Sequence, residues 1–169
     1  MEWMVKGLQR QGFAMEFILL HDQQTPFEAF LKEQDIPATT IPYKGLKQLP
    51  LIALKLFLRF IFQKPDIVHT HLPASNLAGL LAAKLAGVRK RIITRHHGTY
   101  HHRYYPKAVK QDHFINYLAT DIVAISENVK SILEAKEKVD PAKIHLIHHG
   151  FQLEYFDQQK SAQSTLSNR

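Results

Sequence analysis

The 169-residue chain contains no cysteine, which excludes a disulfide scaffold, a thiolate zinc site and a cysteine nucleophile, and fits a reducing compartment. Glycine is sparse at seven residues. None of the seven forms a Gly-x-Gly-x-x-Gly, a Gly-x-x-x-x-Gly-Lys-Ser/Thr or a Gly-x-Ser-x-Gly arrangement, so the sequence lacks the phosphate cradles of dinucleotide enzymes and P-loop NTPases and the elbow of serine hydrolases. Acidic residues are outnumbered, 15 against 22 Lys+Arg, which leaves a net charge of +7 beside eleven histidines. Such a field attracts nucleic acid, anionic lipid or phosphorylated small molecules alike and does not choose among them.

Long apolar runs are also missing. A transmembrane helix needs about 20 apolar residues; the most apolar stretch, 50–63, is shorter and carries Lys55 and Arg59. Its first reading is a helix packed on a sheet. The second is a basic amphipathic patch over 44–63, Lys44 and Lys47 included, resting on an anionic membrane. Residues 1–10, with Trp3, Met4, Val5 and Leu8, read as an amphipathic helix rather than as a basic stub before an apolar core, so the expected location is the cytoplasm, peripheral to the inner face of the membrane under that second reading.

What is present is enough for one ordinary domain: 45% hydrophobic and 22% charged residues suit a packed core. Helical and extended periods alternate along it. Gly12 ends the first helix; 14–20 reads as a buried strand, 26–34 as helix, 38–41 as strand, 50–63 as helix and 66–71 as strand. A helix capped by Ser75 and stopped by Gly87 follows, then a strand over 91–95 and a polar loop. Helix 107–118, strand 121–125, helix 127–136 and strand 144–147 complete the series, before a polar linker or tail over 157–169. Strands rich in Ile, Val and Leu that alternate with helices predict an α/β, doubly wound, Rossmann-like parallel sheet with helices on both faces, its domain running over 1–156. Ligands of such sheets bind beyond the carboxyl ends of the strands. Those ends read His69-Thr70-His71, His96-His97-Gly98, Ser126-Glu127 and His148-His149-Gly150.

His69 and His71 share one face of a strand by their spacing, but no third ligand follows at metal spacing, and local hydrogen bonding at a cleft is the preferred reading. Ser126 reads first as the N-cap of the helix after it.

The motifs resemble a known family. Pro65-Asp66-Ile67-Val68-His69-Thr70-His71 resembles the "P-D-[IV]-[IV]-H-x-H" strand of family-4-type glycosyltransferases of GT-B fold. Ile92-Ile93-Thr94-Arg95-His96-His97-Gly98 is similar to that family's strand and His-Gly loop, and 119–127 to its "A-D-x-[IV]-[IV]-A-x-S" segment. Residues 143–156 look like its closing "K-[IV]-x-V-I-x-N-G-[IV]-D-x-x-x-F" segment, with His149 where asparagine is commoner.

The resemblance implies the acceptor-side half of a two-domain enzyme, with the first strand and its glycine loop lying before Glu2 and the donor-binding domain after the chain. It implies transfer of a sugar from a nucleotide-diphosphate sugar to a sugar, lipid-linked or other small acceptor, with retention of configuration, no metal or other cofactor, and no activity for this half alone. By the same carry-over, His97 with Gly98 lies against the donor sugar, with His96 as the alternative because the doublet leaves the alignment open. His71, Tyr100, Ser126, Glu127 and Gly150 become substrate contacts. A second function from another class is a basic Rossmann-like module for nucleic acid or phosphorylated ligands, with Tyr100, Tyr104 and Tyr105 near Arg103 and Lys107 as a stacking surface. No recognised RNA or DNA motif accompanies these residues, so a nucleic-acid partner is not expected.

Overall fold

The computed structural model describes residues 2–23, 25–148 and 150. His149 and the tail over 157–169 lie outside the described residues. The chain divides into two compact units, one ending at Arg91 and the other starting at Ile92.

The first unit contains α1 (Glu2–Arg10), β1 (Phe17–Leu20), α2 (Pro26–Glu33), β2 (Ala38–Ile41), α3 (Leu49–Gln63), β3 (Ile67–His71) and α4 (Pro73–Leu85). Three of its helices stop in the same way. After α1, Gly12 takes φ 82°, its N–H bonds Gln9 O and the Phe13 N–H bonds Leu8 O. Asp35 (φ 52°) and Ile36 do this after α2, and Gly87 (φ 78°) and Val88 after α4. Each is a pair of crossed bonds that satisfies the last carbonyls through one left-handed residue. At α3 that left-handed residue is Lys64, and Pro65 then forbids another turn.

β1 and β2 pair in parallel, Phe17 opposite Ala38 and Leu20 opposite Ile41. They form a two-stranded sheet separate from that of β3. The four residues of β1 are half-buried rather than enclosed on both sides, because among the described residues the strand has a sheet neighbour on one edge only. The main core joins Leu49, Ile52, Leu56 and Phe60 of α3 to Val68 of β3 and Ala78, Ala82 and Ala83 of α4, with Ile18, Leu20 and Ile41 against it. A smaller cluster unites Val5, Phe30, Leu31 and Ile36. A fully buried Leu such as Leu31 contributes about 1.5–3 kcal/mol relative to exposure.

Ser75 does not cap α4. The helix starts two residues earlier at Pro73, and the Ser75 hydroxyl donates instead to His71 O and Leu72 O. Proline fits the first turn because its missing N–H would have no helical partner there.

The second unit continues β4 (Lys90–Arg95) and adds α5 (Tyr100–Tyr104), α6 (Val109–Leu118), β5 (Asp121–Ala124), α7 (Glu127–Ala135) and β6 (Ile144–Leu146). β4, β5 and β6 pair in parallel, Ile93 opposite Ile122 and Ile122 opposite Ile144. Ile93 and Ile122 are fully buried, as are Leu118 and Leu133 on the helices beside them. The sequence predicts a plain polar loop after β4; the structure folds part of it into α5, followed by a single turn over Pro106–Ala108. Among the described residues no helix is long and apolar enough to cross a membrane.

Candidate functional site

Parallel pairing brings the carboxyl ends of β4, β5 and β6 to one side of the second unit, so His96, His97 and Gly98 leave the sheet on the same side as Ser126. Gly98 is buried against the start of α7. A Cβ there would stand 3.3 Å from Ile132 Cγ1 and 3.5 Å from Asn128 Nδ2, so even a methyl group would press on Ile132, and a larger side chain would have to displace the loop or the helix. Ser126 caps α7 as its sequence position predicts, its side chain accepting the Val129 N–H at 3.3 Å. Glu127 opens the helix and is exposed.

His97 is half-buried, with its ring 4.5 Å from that of His101 and 6.1 Å from that of Tyr100. Its Nε2 is shielded from solvent and has no hydrogen-bond partner among the described residues. Burial, aided by the positive charge of Arg95, holds its pKa below the usual histidine range, so the ring is kept neutral. His96 is exposed. Tyr100, Tyr104 and Tyr105 are exposed and gather with Tyr100 at the centre, 5.5 and 5.4 Å from the other two rings. A hydrogen bond with Tyr105 raises the pKa of the Tyr100 hydroxyl.

Beneath this loop lies a group of buried charges that sequence spacing did not mark. Arg95 Nη2 donates to Glu137 Oε1 at 2.7 Å, and Asn116 Nδ2 donates to Glu137 Oε2 at 2.6 Å. Arg95 Nη1 stands 3.7 Å from Asp112 Oδ1. Two histidines of α5 reach the same carboxylates, His101 Nδ1 at 2.7 Å from Asp112 and His102 Nε2 at 3.2 Å from Glu137. Two carboxylates thus surround one guanidinium and anchor the segment that follows His97. Part of this was readable: Asp112 and Asn116 fall on the buried stripe of α6 with Ile115, at helical spacing. Glu137 lies 42 residues from Arg95, and no local pattern connects them.

His97, His101 and Asp112 also offer ligand atoms within 4.8 Å of one another. Asp112 is already engaged by His101 and faces Arg95, and that guanidinium opposes a dication at the same place.

In the first unit, His69 and His71 do share a face, their rings 4.4 Å apart. His71 is followed by Leu72 at φ 70°, ψ 151°, a region of backbone space open to little besides glycine and costing about 1–3 kcal/mol. Asn76 is buried below this turn; with its NH2 facing them, it donates to Thr70 Oγ1 at 2.8 Å and Leu72 O at 3.2 Å. Gly150 is exposed and belongs to no strand. Two cavities lie elsewhere: about 440 Å³ between the ends of α3 and α4, lined by Lys64, Asp66 and Arg89, and about 240 Å³ beside His113, Tyr117 and Lys143.

Comparison with known proteins gives a consistent picture. The model of Glycosyltransferase Family 4 matches residues 3–155. The UDP-Gal:alpha-D-GlcNAc-diphosphoundecaprenol alpha-1,3-galactosyltransferase of Escherichia coli is 28% identical over 90% of this chain and 44% of its own length. The crystal structure of a glycosyltransferase from Rickettsia africae superposes with a TM-score of 0.60 at 24% identity, covering 90% of this chain and 39% of that one. Anabaena HepE in complex with UDP gives 0.62 at 16%, covering 83% and 45%. These likenesses show the Rossmann-like α/β fold, with parallel strands and helices on both faces. The chain spans less than half the length of each of these relatives.

Proposed function

The chain belongs to Glycosyltransferase Family 4, and from that premise we propose that it is the acceptor-side half of an enzyme that moves a sugar from a nucleotide-diphosphate donor to a lipid-linked acceptor, with retention of configuration. The observation that carries this reading is the family match over 3–155 combined with coverage of only 44% of the galactosyltransferase relative. Donor binding then falls to a domain outside these residues, and this half alone is inactive. The separation of β1 and β2 from the sheet of β3 agrees, since one strand between them would complete a sheet over the core they share.

In this reading the β4 loop meets the reacting sugar. Gly98 lets backbone approach it, and His97, kept neutral, presents its carbonyl or ring near the reacting carbon; His96 is the alternative. Tyr100, Ser126, Glu127, His71 and Gly150 contact substrate, with the exposed tyrosine rings suited to the apolar face of a sugar and their hydroxyls to its polar edge. No metal is required. The task is to hold the acceptor hydroxyl on the face the diphosphate leaves and to stabilise the developing charges, which is positioning and electrostatics. The enzyme works on the cytoplasmic side, where lipid-linked acceptors are presented at the membrane surface. The family match selects this reading over the nucleic-acid module.

The test is transfer from UDP-galactose to a diphosphoundecaprenol-linked GlcNAc acceptor, comparing the chain alone with the chain continued by the remainder of the E. coli relative. The proposal expects no product from the first, product of unchanged anomeric configuration from the second, and loss of product on Gly98→Val. Turnover by the chain alone, or inverted product, contradicts it.

A further inference from the structure

α3 has two apolar faces, and only one is used. Leu49, Ile52, Leu56 and Phe60 are buried in the core. Leu51, Leu54, Leu58, Ile61 and Phe62 are 58, 52, 47, 41 and 81% exposed. At 3.6 residues per turn the exposed five fall in an arc of about 100° on the opposite side of the helix. Leu46, in the turn before α3, is 68% exposed as well. Five large aliphatic and aromatic side chains in one continuous strip exceed the scattered exposure expected of a solvated helix.

Charge identifies the occupant. Residues 36–65 contain five cations, Lys44, Lys47, Lys55, Arg59 and Lys64, and no Asp or Glu. Arg59 is committed to Glu16 and Thr39. The four lysines are exposed and make no ion pair among the described residues. They stand before α3, on its flank and at its end. A second copy of the chain docked on this stripe would oppose four lysines to four lysines. An anionic bilayer instead meets the strip with hydrocarbon and the lysines with headgroup charge. A 15-residue helix is about 22 Å long, too short to span, and its inner face is already packed on protein.

We propose that the outer face of α3 is a membrane-docking surface that lies in the plane of an anionic bilayer, with Leu51, Leu54, Leu58, Ile61 and Phe62 below the headgroups and Lys44, Lys47, Lys55 and Lys64 at them. It rests on the glycosyl-transfer reading only in supplying a reason for the contact, the delivery of a lipid-linked acceptor.

The experiment is flotation of the chain with vesicles of phosphatidylcholine alone and of phosphatidylcholine with phosphatidylglycerol, without nucleotide sugar or acceptor. The wild type binds the anionic vesicles. The variant pair Leu58→Gln with Phe62→Gln, and separately Lys47→Glu with Lys55→Glu, each weaken binding roughly tenfold or more while the thermal melt stays unchanged, because all four side chains are exposed. Light scattering without lipid gives a monomer. Absence of binding, equal binding by wild type and variants, or a lipid-free dimer abolished by the Leu58/Phe62 pair would each overturn the proposal. None of these outcomes bears on sugar transfer, and a failed transfer assay does not bear on flotation.

Discussion

The two units solve the same packing problem with different materials. In the first, buried polar side chains are limited to Thr70 and Asn76 among the described residues, and the core of α3, α4 and β3 is aliphatic and aromatic. In the second, Arg95, Asp112, Asn116 and Glu137 are buried together with Thr94. An aliphatic core stabilises without direction. Buried charges add little net stability over a well-packed apolar replacement, but they fix geometry, and losing one partner strands the other. The charged core lies under the β4 loop and holds α5 through His101 and His102, so the unit with the costlier interior is the one that positions the candidate site.

Substitutions sharpen this contrast, and the largest effect falls on the charged core. Glu137→Ala leaves Arg95 and Asn116 without their main acceptor and should lower unfolding stability by about 3–5 kcal/mol in chemical denaturation. Arg95→Met combined with Glu137→Leu should cost clearly less than the two single losses added together. In the first unit the limit is space: a Cβ on Gly79 would stand 2.8 Å from Thr70 Cγ2, so Gly79→Ala should destabilise by about 1–3 kcal/mol. A Thr70→Ser background should restore part of that loss. Leu72→Gly should act in the opposite sense, raising stability by about 1 kcal/mol as the disfavoured backbone is relieved; an unchanged or lower melting temperature would remove strain from the account of that turn. The smallest effect is pH dependence. His97 is held neutral by burial, so as pH falls below about 6.5 the unfolded chain takes up the proton first and stability declines. His97→Gln removes this contribution and should give a shallower fall in melting temperature between pH 7 and pH 5.

The same contrast explains what the sequence revealed. Element order in both units follows from hydrophobic period and from stops such as Gly12 and Gly87, since these are local. The ends of β3, β4 and β5 are legible to within a residue because each apolar run stops at polar residues. Ser75 misleads because a serine near a helix start resembles a cap, whereas Pro73 takes the first turn and frees Ser75 to bond back to His71 and Leu72. α5 escapes because five polar and aromatic residues carry no helical period, and its anchors, Asp112 and Glu137, come from distant segments. The outer stripe of α3 was readable as apolar, but only the fold separates its packed side from its exposed one.

In the proposed reading, the β4 loop and the start of α7 form the acceptor-side surface of a sugar-transfer site whose nucleotide half lies in another domain. Backbone NMR of this chain titrated with a short-chain lipid-diphosphate GlcNAc, and in parallel with UDP-galactose, tests it most directly. The account predicts saturable shifts at Tyr100 and Ser126 with the first ligand and none at these two residues with the second. Saturable shifts there with UDP-galactose, or none with the acceptor, would contradict it.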